Sequence, residues 1–169
     1  MDFRGTIYRA LNPYWAREPL SGEGAARHGG RFNLRGRPAL YTALTIPGVL
    51  REAHQAGRFQ PLTLIAIEAR VARVFDSRDA AALSSYGADD ATLSDPGWRD
   101  AMTRGRPAPG QALAERLIAE GHQGMIVRSF APGATAADLN LVLWSWGDAP
   151  PARLRVVDDE GRLTPRLGD

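Results

Sequence analysis

Residues 62–69, LTLIAIEA, form a nearly continuous apolar run of strand length, which suits a central strand covered on both faces. Strand-like runs come earlier at 6–11 and 39–43, and later at 124–127, 139–144 and 152–157, with a Pro-Gly-Ala loop joining 127 to 139. Helical signals lie between them. Pro47 sits well in a first helical turn, with Thr45 as its cap and a stop near Gly57. On that helix Val49, Leu50, Ala53 and Ala56 gather on one face, Arg51 and Gln55 point away, and Glu52 falls at the border. Residues 111–120 carry Leu113, Leu117 and Ile118 at helical spacing and end at Gly121. Early strands, intervening helices and late strands predict an α/β (α+β) domain whose sheet joins distant parts of the chain. With 169 residues, no repeat and no evident linker, residues 1–169 read as one domain long enough to bury a core. Residues 76–110 are ambiguous: short helices broken by Gly and Pro, or mostly loop.

The absence of cysteine removes disulfides, thiolate nucleophiles and cysteine metal sites together. His28, His54 and His122 are scattered, so no metal is expected. The opening MDFRGTIYRAL lacks the apolar segment of a secretory signal, and no run approaches the roughly 20 apolar residues of a membrane span. The expectation is a soluble, cytoplasmic protein with no membrane contact. All 21 cationic side chains are arginine, yet the formal net charge is only +2. Arginine grips phosphate and carboxylate through a planar fork and keeps its charge, although GC-rich coding bias also accounts for such a composition.

The stretch GGRFNLRGRPALY at 29–41 reads either as a basic surface turn or as a holder for something anionic and flat. Just before it, SGEGAARHGG matches the first two glycines of a dinucleotide fingerprint at Gly22 and Gly24. Arg27 stands at the third, and a proline-bearing loop rather than a buried strand precedes it. There is no Walker A sequence and no G-x-S-x-G elbow. What survives is a glycine-rich loop able to bring backbone N–H groups to a phosphate, with Arg31 beside it for charge. Tyr41 follows on a strand, Glu52 on a flanking helix and Ser129 at a strand end, where a hydroxyl most often caps or turns the backbone. Singly each has a plain structural reading. Together they assemble arginine, aromatic, carboxylate and hydroxyl.

YRA at 8–10, SGEGAARHGGRFN at 21–33, PALYTA at 38–43, REA at 51–53, the Ser129 of VRSF and NLVLW at 140–144 together resemble the RES-domain family. These bacterial toxins are named for an arginine, a glutamate and a serine, which by this match are Arg31, Glu52 and Ser129. The resemblance is densest before Gly57 and poor over 76–121. It implies an ADP-ribosyltransferase-like fold, a central split β-sheet with flanking helices, and NAD+ as substrate. It also implies a cognate antitoxin with an Xre-type DNA-binding region. Gly30 and Arg31 would hold the diphosphate, Tyr41 would lie against the nicotinamide, and Glu52 would face the ribose. Ser129 would orient the ribose or amide, Tyr8 and Arg9 would line the pocket, and Asn33 and Asn140 are further candidate contacts. The expected acceptor of ADP-ribose is a cellular protein, with water or phosphate as the alternative. Two other classes remain open. A nucleic-acid-binding module is permitted by a pI near 9.5, although acidic residues are interleaved throughout and no direct nucleic-acid contact is expected. A catalytically inert partner-binding domain is the other.

Overall fold

The computed structural model describes residues 1–54 and 60–163. Its strands are β1 (Phe3–Leu11), β2 (Leu40–Ala43), β3 (Thr63–Val71), β4 (Val74–Asp76), β5 (Gly124–Arg128), β6 (Leu139–Leu143) and β7 (Ala152–Val156). They hydrogen-bond as one seven-stranded sheet in the order β4-β5-β6-β2-β1-β3-β7. Among the described strands β4 and β5 pair in parallel, and the other strand pairs are antiparallel. The short strand β2 pairs with β1 on one side and with β6 on the other, so the sheet joins distant parts of the chain, as the strand distribution in the sequence predicts.

Successive side chains on a strand face opposite ways, and this alternation splits the core in two. Leu141 and Leu143 join Ile7, Leu40, Ile67 and Ile126 on one face. Val142 and Trp144 join Phe32, Met125, Val127, Leu113 and Leu117 on the other. One expectation is corrected here. In β3 only Ile65, Ile67, Ala69 and Val71 are buried; Leu64 is 40% exposed, and Glu68 and Arg70 face solvent. The strand lies second from an edge with one face covered, and Leu64 and Ala66 disguise its alternation as a continuous apolar run.

Helix α1 (Glu23–His28) occupies the stretch expected to be a glycine-rich loop. It stops at Gly29, whose φ of 73° suits glycine best. Helix α2 (Ile46–His54) starts where Pro47 and Thr45 predict, with Thr45 Oγ1 accepting the Gly48 N–H at 3.1 Å. It packs on β1 and β2. Its expected stop near Gly57, with Gln55 and Ala56, lies outside the described residues. The ambiguous segment resolves into three short helices, α3 (Ala80–Ser85), α4 (Asp90–Ser94) and α5 (Trp98–Thr103). Asp79 caps the first, and a reciprocal Asp89–Thr92 pair caps the second. Helix α6 (Pro109–Ala119) follows and buries Leu113, Ala114 and Leu117 against the second core.

Candidate active site

A cavity of about 410 Å³ opens on the Val142 face of the sheet, within the ~300–1,000 Å³ usual for small-molecule sites. Tyr41, Asn140 and Val127 form its floor, and Glu52 enters from α2. Arg31, Phe130 and the Trp98–Arg99 pair form walls. Arg31 and Glu52, 21 residues apart in sequence, thus share one cavity, as the chemistry inferred from the sequence requires.

Glu52 is held on one oxygen by two donors. Ser129 Oγ donates to its Oε1 at 2.5 Å, and Asn140 Nδ2 donates to the same atom at 2.6 Å. Two donors on one carboxylate oxygen fix its orientation. Ser129 is itself anchored, its N–H donating to the Asp138 carbonyl at 2.7 Å and its Oγ accepting the Ala131 N–H at 3.2 Å. Asp138 in turn pairs with Arg51, the residue before Glu52, at 2.5 Å. The helix bearing the acid and the loop bearing the hydroxyl are therefore tied twice. Asn140 serves as an orienting amide, and its Oδ1 is buried without a hydrogen-bond partner in the described structure.

The loop that carries Arg31 is braced from below. Gly30 and Asn33 form a backbone bridge, with the Gly30 N–H donating to the Asn33 carbonyl and the Asn33 N–H returning to Gly30. The Phe32 N–H donates to the Tyr41 hydroxyl at 3.1 Å, and that hydroxyl donates to Asn33 Oδ1 at 2.7 Å. These N–H groups are spent inside the loop. The expected backbone cradle for a phosphate is thus corrected at Gly30, Phe32 and Asn33, and the matching of anionic charge falls to side chains. Burial pushes the Tyr41 phenol well above its ordinary value, so it stays protonated as a donor while its ring lines the cavity. A Cβ on Gly30 would overlap both the Tyr41 hydroxyl and the Asn33 side chain, so only glycine fits.

Arg31 points over the Phe130 ring at 4.9 Å, and its Nη1 donates to the Asp95 carbonyl at 2.6 Å and that of Leu93 at 3.3 Å. Its pKa is lowered, first by burial and then by the nearby Arg99, against the opposing pull of Asp95 and Glu52.

Three other candidates sit differently. Asn33 is fully buried, its amide nitrogen serving the carbonyls of Ala25, Leu34 and Arg37; it scaffolds the loop without lining the cavity. Arg9 faces the opposite side of β1 from Ala10, which lines the cavity, and donates to the carbonyls of Pro19 and Ser21. Burial there lowers its pKa to about 10. Tyr8 shares the face of Ala10 but is not part of the cavity wall. Strand alternation explains the placement of Arg9.

Sequence reasoning passed over Gln111, Trp98 and Arg99. Gln111 is fully buried; its Nε2 donates to the carbonyls of Gly30 and Asn33, and its Oε1 accepts the Ala108 N–H. One trace of it was legible: it shares a helical stripe with Ala114 and Leu117, where a polar residue must have a buried task. Trp98 and Arg99 come from the ambiguous segment, and no periodicity marks them.

A mixed α/β domain with an oriented carboxylate, an arginine and a tyrosine in one cavity defines a class of domain suited to a charged, partly aromatic ligand. The model described as RES domain matches residues 6–166, and the chain belongs to that family. No curated protein matches it in sequence. Among solved structures it is similar to a chain of the crystal structure of the M. tuberculosis MbcT-MbcA toxin-antitoxin complex. The TM-score is 0.66 at 24% identity, covering 94% of this chain and 85% of that one, a likeness of fold.

Proposed function

We propose that the protein is the toxin of a toxin–antitoxin pair and that it cleaves the nicotinamide–ribose bond of NAD+. The observation that carries this reading is the carboxylate of Glu52, fixed by Ser129 and Asn140 in the cavity that also holds Arg31 and Tyr41. In NAD+ the bond from ribose C1′ to the nicotinamide nitrogen breaks with its electron pair going to nitrogen. The cationic ring thereby leaves neutral, so no general acid is needed, unlike ordinary glycoside hydrolysis. Positive charge develops on the ribose, and Glu52 supplies the opposing charge where it forms. Tyr41 offers its ring to the nicotinamide, and Arg31 offers its charge to the diphosphate.

The acceptor's lone pair then bonds to C1′ and its proton is lost to solvent. A nucleophile on a cellular protein is our reading of that acceptor, which makes the protein a mono-ADP-ribosyltransferase. Transfer to water or phosphate is the second reading; Arg128, in the cavity wall one residue from Ser129, pairs with Asp90 through an exposed contact for which a phosphate can compete. A cognate Xre-type antitoxin would restrain either activity.

Nicotinamide release from purified protein tests the reading. Glu52→Gln should keep the fold and lose on the order of a hundredfold or more in rate; near-normal turnover removes Glu52 from the mechanism. Labelled NAD+ with cell extract separates the acceptors: label in one protein band supports transfer, and label confined to small molecules defeats it.

A further inference from the structure

We propose that Arg99, on the α5 wall of the cavity, is the second cation of the diphosphate subsite, acting with Arg31; this rests on NAD+ being the substrate. Four charged side chains line the cavity: Arg31, Glu52, Arg99 and Arg128. Arg128 is paired with Asp90 at 2.7 Å, and Glu52 is committed to Ser129 and Asn140. Arg31 and Arg99 form no salt bridge among the described residues. The Asp95 carboxylate, in the turn ahead of α5, accepts the Gly97 N–H at 2.8 Å. The cavity thus keeps two cations against one anion, which matches a dinucleotide bearing two phosphate charges and one cationic ring.

Both guanidinium groups are supported in the same manner. Arg31 lies over Phe130 at 4.9 Å and Arg99 over Trp98 at 4.2 Å. Stacking on a ring fixes the plane of a guanidinium and leaves its edge for in-plane hydrogen bonds to phosphate oxygens. The two are mechanically linked as well. Arg31 donates to the carbonyls of Leu93 and Asp95, which border the turn leading into α5, so the arginine of the early loop anchors the segment that carries Arg99. Since the N–H groups of Gly30, Phe32 and Asn33 are used within their own loop, side chains must supply the donors. Arg99 is the remaining unbridged cation in that wall.

The experiment measures calorimetric binding of ADP-ribose and of inorganic pyrophosphate, together with nicotinamide release from NAD+ and from nicotinamide riboside, which has no phosphate. Arg99→Gln should weaken ADP-ribose and pyrophosphate binding about tenfold to a hundredfold, the usual loss for a charge-assisted hydrogen bond. It should raise KM for NAD+ far more than it lowers kcat. Arg99→Lys should restore part of the affinity, keeping charge but not the fork. Arg153→Gln, which removes an exposed arginine on β7, controls for general electrostatics and should not change binding. With nicotinamide riboside the ratio of wild type to Arg99→Gln should shrink toward one. Equal ADP-ribose affinity for wild type and Arg99→Gln overturns the assignment, as does an equal loss with the riboside. A wild-type protein that neither binds ADP-ribose nor releases nicotinamide overturns the NAD+ reading itself.

Discussion

Ser129 Oγ and Glu52 Oε1 lie 2.5 Å apart, although 77 residues separate them in the chain. The contact joins a hydroxyl just past the end of β5 to a carboxylate on α2, and Asn140 Nδ2 meets the same oxygen from β6. The acid is consequently oriented by the fold itself. Preorganisation of this kind spares the reorganisation cost at the moment charge develops.

Ser129→Ala should slow nicotinamide release about tenfold while leaving the denaturation midpoint nearly unchanged, because one orienting bond is lost and Asn140 still holds the acid. Ser129→Ala and Asn140→Leu together should cost less, or more, than the sum of the two, since both act on one atom. Strict additivity would show that the two donors do not cooperate. Asn140→Asp is a sharper change. It replaces a donor to Oε1 by a like charge and should slow nicotinamide release more than Ser129→Ala does; a rate equal to that of Ser129→Ala would mean that Asn140 does not orient the acid.

Gly30→Ala should lose stability by about 1–3 kcal/mol in denaturant titration, because its Cβ must displace the Tyr41 hydroxyl or the Asn33 amide. Activity should fall with it, since the same shift moves Arg31. A protein of wild-type stability and activity would show that the loop tolerates what its packing forbids.

Gln111→Leu should destabilise by about 2–4 kcal/mol, as the carbonyls of Gly30 and Asn33 and the Ala108 N–H each lose their partner in a dry interior. Chemical denaturation reads the loss. Gln111→Glu is informative beside it: a carboxylate can still accept from Ala108 but, ionised, cannot donate to either carbonyl, so it should be at least as damaging.

Acid should loosen the tie between α2 and the Ser129 loop. The Asp138 carboxyl is held below its ordinary value, first by the Thr135 N–H and hydroxyl and then by Arg51. The folded chain binds fewer protons there than the unfolded one. Its contribution is full above the ordinary aspartate value of about 3.9 and is lost as pH falls through the lower folded value. Asp138→Asn should therefore flatten the stability curve below about pH 5, where unfolded aspartate begins to protonate. An acid limb as steep as in wild type would place the sensitivity elsewhere.

The local pattern of the chain determined a good deal by itself. The apolar runs marked the strands except β4, Thr45 and Pro47 marked the start of α2, and the order of motifs from Tyr8 to Trp144 marked the RES family. These are legible because strand period, helix caps and motif spacing are local properties. What faces what is not local. Only the folded sheet decided that Arg9 turns away from the cavity while Tyr41 turns in, that Asn33 is spent on carbonyls, and that Gln111 from α6 braces the loop of Arg31. The α5 wall with Trp98 and Arg99 was equally hidden, since a helix of six residues carries too little periodicity to announce a face. Such relations depend on register and long-range packing, which join residues far apart in the chain through contacts that neither partner's neighbours encode.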